Sequence, residues 1–292
     1  MTDLSVRKME MTTTDLTPDE RRRVFWFAAE LFRREPLFAG AALCLLVSMA
    51  PTLFALAADT RTLLGINVWI KPLKFEVALT IYLATLAWFA GWLPRGTTRT
   101  WWYRAFSAVV VLCVALEMVW IAGSAANGIA SHFNIESPLM AGIYGLMGVL
   151  AVTLTSATLL YAWLIARNPD SRLDPVFRTS VVLGLVLTFV LTVTVAGSMA
   201  GGTGHRIGGD ASDAGGFPFM GWVRDGGDLR VAHFFATHAM HFVPAFGFVA
   251  ARFLEKRPGH AAVLAFSVLF TAFVGFTFVQ ARMGQPFLPA FG

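Results

Sequence analysis

The chain is poor in charge and nearly free of cysteine. Asp, Glu, Lys and Arg make up 14% of its 292 residues, against about 25% in soluble domains, so an ordinary water-soluble globule is excluded. The two cysteines, Cys44 and Cys113, sit inside apolar runs, where a lone thiol acts as a small hydrophobe. That argues against a disulfide framework and against a thiolate metal site. The His-Glu-x-x-His spacing of zinc hydrolases is missing too. No apolar run precedes Leu37, so a cleaved signal peptide is not expected. No internal repeat stands out, which argues against an inverted-repeat transporter. The net charge is +5, yet the arginines are scattered through short loops, and no nucleic-acid partner is expected.

What the chain has in quantity is apolar sequence. Runs at 37–58, 72–93, 104–126, 138–166, 177–200, 230–254 and 260–282 reach the roughly 20 residues that a helix needs to cross about 30 Å of hydrocarbon. They predict an all-α fold, a polytopic membrane helix bundle of about seven transmembrane helices. The connections near 94–103, 167–176 and 255–259 carry Arg95, Arg99, Arg167, Arg172, Lys256 and Arg257. All fall on one side of a seven-span chain, and positive charge marks the cytoplasmic side. The expected topology is therefore N-terminus cytoplasmic and C-terminus periplasmic.

Three further segments complete the plan. Residues 1–16 are polar and expected to be a disordered leader. Thr17, Pro18 and Glu20 form a capping-box start for an amphipathic helix over 17–35, which mixes Phe25, Trp26, Phe27 and Phe32 with arginines. It reads as an interfacial helix or as a cytosolic extension of the first span. The seven-helix domain is then 37–292, with a Gly-rich outer loop at 201–229. That loop reads as a flexible lid whose Phe217, Phe219 and Trp222 touch the bundle or the membrane. Gly142, Gly145 and Gly148, with Thr188, Thr192, Thr194 and Ser198, read as close-packing positions.

Ionisable groups at membrane depth are costly and point to a function. Here they collect at the outer side. The second span opens with Lys71, Lys74 and Glu76; the third carries Glu117 and leads to Ser131-His132-Phe133-Asn134. The sixth begins with Asp228, Arg230, His233, His238 and His241, and the seventh ends at Arg282. At 1.5 Å per residue, Glu76 lies about 6–9 Å below the outer boundary, His238 about 12 Å, and Glu117 and His241 about 15 Å. His238 and His241 are three apart and face one partner, while His233 points some 140° away from His238. Lys71 is read as snorkelling to headgroups. Asp228 and Arg230 orient the start of the sixth span, Arg282 pairs with Glu76 or binds an anion, and His205 is a marginal member of the site.

If one metal is bound, its ligands would be His238, His241 and Glu117, with Glu76 or His132 as alternatives, a set that suits zinc or iron. If haem is bound, one of these histidines would be axial, with His132 opposite. Glu117 and Glu76 are the candidate catalytic groups.

The runs at 69–75 (Trp-Ile-Lys-Pro-Leu-Lys-Phe), 131–134 (Ser-His-Phe-Asn) and 227–234 (Gly-Asp-Leu-Arg-Val-Ala-His-Phe) resemble a family of bacterial multi-pass inner-membrane proteins without an assigned activity. The resemblance implies a bacterial cytoplasmic membrane and no chemistry. Three functions fit the residues: a metal- or haem-dependent membrane oxidoreductase, a metal-free proton-linked transporter or small-ligand sensor, and an assembly subunit whose polar groups only pair internally. Membrane lipid and a small molecule or ion from the outer side are the expected partners.

Overall fold

In lipid every backbone polar group must be satisfied within the chain, so long apolar runs become helices. The computed structural model describes residues 18–202, 204–210, 212–217 and 220–288, with side chains from residue 25 onward. The expected leader at 1–16 lies outside them. The helices are α1 (Pro18–Arg34), α2 (Pro36–Ala58), α3 (Ile70–Phe89), α4 (Trp101–Asn127), α5 (Pro138–Ala166), α6 (Pro175–Ala200), α7 (Leu229–Thr237), α8 (Ala239–Phe253) and α9 (Lys256–Arg282). Two antiparallel two-residue hairpins decorate one end. They pair β1 (Thr62–Leu63) with β2 (Ile66–Asn67), and β3 (Arg206–Ile207) with β4 (Gly227–Asp228).

The starts of the helices are written locally. Ser137 Oγ accepts from Met140 N at 3.2 Å ahead of Pro138, and Asp174 Oδ1 accepts from Val176 N at 2.8 Å ahead of Pro175. Both are N-caps followed by proline at the first helical position. Glu35 caps α2 through the Phe38 amide, again with proline next.

Among the described residues six helices are long and apolar enough to cross a membrane, and α7 with α8, bent by 51°, brings the count to seven if the pair is one span. The chain is thus an all-α, multi-pass membrane protein. Its outer surface carries exposed Phe54, Val119, Val268 and Phe276, as expected where the solvent is lipid. The centre is filled by Leu83, Leu86, Ile165 and Leu185, with Tyr103 and Tyr161 joined hydroxyl to hydroxyl at 2.5 Å. α6 packs against α5, α7, α8 and α9, while α3 packs on α2 and α4.

One packing expectation changes. A Cβ added to Gly142, Gly145 or Gly148 would meet nothing within 4 Å, so those glycines open onto the lipid side and do not bring helices together. Close approach occurs instead between α6 and α8. A Cβ on Gly184 would sit 2.8 Å from Pro244 Cδ, and one on Gly247 would sit 1.9 Å from Ser180 Oγ.

The bend between α7 and α8 falls beside a proline-bearing stretch where the helical ladder is interrupted. Pro244 has no N–H for the Met240 carbonyl and its ring crowds that carbonyl. The ladder is interrupted at His238 (φ −95°, ψ 7°), which ends α7 and starts α8. Thr188 Oγ1 on α6 accepts the freed Met240 amide at 2.8 Å, so the break leaves no orphan there.

Candidate functional site

Nine residues of α7 span about 13 Å, so the break at His238 lies that far from the Leu229 end of the α7–α8 pair. There His238 Nδ1 and His241 Nδ1 face each other at 3.1 Å, and His241 Nε2 lies 3.0 Å from Thr85 Oγ1 on α3. The hydrogen bonds assign the tautomers. Thr85 Oγ1 is 2.7 Å from the Ile81 carbonyl, which can only accept, so Thr85 donates there and accepts from His241 Nε2–H. His241 Nδ1 is then bare and accepts from His238 Nδ1–H. The line ends at His238 Nε2, a free lone pair with no hydrogen-bond partner among the described residues. The His238 ring packs 4.3 Å from that of Phe234.

A second polar centre lies at the turn between α4 and α5. Lys71 Nζ and Ser131 Oγ both approach His132 Nδ1 at 3.1 Å. An ammonium can only donate, so Nδ1 accepts and Nε2 carries the ring proton. Burial first, then the charges of Lys71 and His233, hold the His132 pKa down at about 3, so the ring is neutral at ordinary pH. Lys71 is thus turned inward to an imidazole and does not snorkel. Its charge also acts on Glu117, Asp213 and Arg230.

The loop at 201–229 is pinned at its end. Arg230 binds Asp228 through Nε (2.9 and 3.0 Å) and Nη2 (2.7 Å), and the same Nη2 reaches Asp213 Oδ1 at 2.9 Å and the Gly221 carbonyl at 2.8 Å. Asp228 Oδ2 also accepts from Val223 N, and Asp228 Oδ1 from the Arg230 amide at the start of α7. Burial pushes the Asp213 carboxyl up, but the hydrogen bond from His205 and the charge of Arg230 outweigh it and hold the pKa at about 2. His205 therefore belongs to this clamp. Trp222 is buried, with Phe217, Phe234 and Phe287 around it, and Asp213 N donates to Leu64 O at 2.7 Å. The described part of the loop is packed down on the bundle, unlike a free lid; Phe219 lies outside the described residues.

Other expected partners do not meet. Glu117 is buried with Oε1 unpartnered among the described residues, and it does not join His241. Sequence spacing put the two at one level, but α4 packs on α5 and α3 while α8 packs on α6 and α9. Glu76 accepts from Ser48 Oγ at 2.8 Å and Thr52 Oγ1 at 2.9 Å, not from Arg282. The Arg282 side chain is exposed and forms no ion pair among the described residues. Lys74 Nζ donates to the Met220 carbonyl at 2.9 Å. His233 is part-buried, and its Nδ1 is unpartnered.

Among the described residues no three His, Cys, Asp or Glu side chains converge as a metal-binding group. The set His238, His241 and Glu117 is not assembled, and His132 is engaged by Lys71 rather than presented opposite the other two. Thr85, Asp213, Ser48 and Thr52 were not singled out by sequence, because a hydroxyl in a span or an aspartate in a loop gives no distinctive signal. Compared with protein-family models, with curated proteins and with solved structures, the chain has no match in any of the three. The resemblance of residues 69–75, 131–134 and 227–234 therefore assigns no family.

Proposed function

We propose that the protein is a proton-linked transporter for a small anion, set in a bacterial cytoplasmic membrane with its clamped loop outward. The observation that carries this reading is the line Thr85–His241–His238, which ends in a free imidazole nitrogen at the break of a spanning helix. Histidine exchanges protons near neutrality, and interrupted helices are where transporters build their central sites. Lys71 and Lys74 share one face of α3 and have no ion-pair partner among the described residues. They supply the attraction for an anion, and Glu117 supplies a second protonatable group. The α1 segment lies at the opposite, arginine-bearing end as an interfacial helix.

The test is proton movement into pyranine-loaded proteoliposomes given inward gradients of phosphate, succinate or chloride in turn. At least one gradient drives acidification with wild-type protein, and His238→Gln reduces it to the level of empty liposomes while the protein stays folded. Wild-type traces equal to empty liposomes for all three anions would count against the reading.

A second reading rests on one distance. Two imidazole nitrogens 3.1 Å apart match neighbouring corners around a cation bound at about 2.0–2.1 Å. His238 and His241 would supply two corners, and the chain does not supply a third nearby, so a closed zinc site does not fit. Stoichiometric iron in purified protein, lost in His241→Ala, would favour a metal-dependent oxidoreductase, whereas zinc, which has no redox chemistry, would not.

A further inference from the structure

Away from His238 and His241, at the opposite end of the bundle, α1 lies beside the turn between α3 and α4 and lines an open cavity of about 230 Å³. Arg33, Arg34 and Arg95 line it, together with Gly91, Leu93 and Gly96, and no acidic side chain does. Two of the arginines share one carboxylate. Glu30 binds Arg33 Nε and Nη2 at 2.6 Å each and Arg34 Nε at 2.7 Å. These bonds hold the Glu30 pKa at about 2. Arg95 is exposed and has no ion-pair partner among the described residues. Three guanidiniums facing one carboxylate leave the cavity with an unbalanced positive charge.

The cavity is also built, not just charged. Arg34 donates to the Trp88 carbonyl at 2.6 Å and lies 3.9 Å over the Trp88 ring. It can lie there because residue 91 is glycine: a Cβ at Gly91 would come within 2.8–2.9 Å of the Arg34 side chain. A guanidinium fixed in this way loses less freedom when it binds an anion. Phe27 also stacks on Trp88, while Phe25 and Trp26 are exposed on α1. Exposed aromatics beside a spanning helix mark the headgroup layer, and basic pockets at that level accept phosphorylated headgroups.

We propose that this cavity binds a phosphate-centred anion, delivered as the headgroup of an anionic phospholipid. The guanidiniums of Arg33 and Arg95 take the phosphate oxygens, the fixed Arg34 adds its charge, and the acyl chains run along the exposed apolar side of the bundle.

The test compares phosphatidylglycerol and phosphatidylcholine binding by native mass spectrometry, with inorganic phosphate and glycerol phosphate as soluble competitors. Wild-type protein prefers phosphatidylglycerol, and neither soluble anion displaces it. Arg33→Gln and Arg95→Gln each weaken the preference roughly fivefold, whereas Arg99→Gln, on the same turn but outside the cavity, does not. Equal binding of the two lipids by wild-type protein overturns the proposal, and that measurement needs no variant. Displacement by inorganic phosphate overturns the lipid source and makes the ligand a soluble phosphate. A loss in Arg99→Gln as large as in Arg95→Gln overturns the cavity and leaves only diffuse charge.

Discussion

The amide of Met240 is held by the hydroxyl of Thr188, 2.8 Å away on a neighbouring helix, and not by a carbonyl of its own span. A side-chain hydroxyl thus takes part in holding the break that presents His238. Thr188→Val keeps the shape and leaves a buried amide without a partner, a cost of about 1–3 kcal/mol. The thermal midpoint in detergent should fall accordingly, and Thr188→Ser should stay near wild type. An unchanged midpoint in Thr188→Val would mean that the break is held by Pro244 alone.

The Arg230 clamp should be strongly coupled. Asp228 is fully buried and Asp213 nearly so, so removing the guanidinium strands two buried carboxylates. Arg230→Ala should cost about 3–5 kcal/mol. In a double-mutant cycle with Asp228→Asn the two losses should not add. Additive losses would show that the short contacts carry no net coupling.

His132 gives a pH dependence with a defined sign. Its pKa is about 3 in the folded protein and near 6.5 in an unfolded chain. Above pH 6.5 both states hold a neutral ring and the group is silent. As pH falls from 6.5 towards 3, only the unfolded chain takes the proton, and stability is lost, about 2 kcal/mol by pH 5. His132→Asn keeps an acceptor for Lys71 and should flatten the midpoint-versus-pH curve over that window. An equally steep curve in the variant would assign the dependence to other groups.

Glycines that resemble one another in sequence should behave oppositely. A Cβ on Gly227 would lie 1.9 Å from the Ala281 carbonyl oxygen, so Gly227→Ala should push β4 off α9 and cost about 3 kcal/mol or more. Gly148→Ala meets open space and should change stability by no more than about 0.5 kcal/mol. Comparing the yield of folded, monodisperse protein for the two variants is enough to decide.

Depth along a span could be read from the sequence, but direction around it could not. The rise per residue places Glu117 and His241 at one level, and the apolar runs place seven crossings close to where the helices lie. Which helices touch is set by packing among all of them. Glu117 and His241 consequently share a level without sharing a partner, and His241 meets Thr85, a residue that looks like any other hydroxyl in a span. Lys71 shows the same gap. Its position at the mouth of α3 suggested headgroups, but the turn that brings His132 over it is decided by the way α4 ends at Gly128 in the left-handed conformation. The broken span was legible only as a proline in an apolar run. His238 as the breakpoint follows from the closeness of α6 and α8 at Gly184 and Gly247, which no local pattern encodes.

Two facing Nδ1 atoms admit one proton between them, and this gives the line from Thr85 to His238 a memory. In the proposed transporter, a proton taken up at His238 Nε2 and matched by one released from His241 Nε2 would leave both rings with their hydrogens on the opposite nitrogens. A second proton cannot follow in the same direction until the rings turn over or the first one retraces its path. With the His238 ring packed 4.3 Å from Phe234 at a tilt of 52°, that reset is a hindered rotation and not a free spin. In the transporter proposed above, traffic through the pair would therefore be counted one charge at a time, with a ring turn beside Phe234 between one charge and the next.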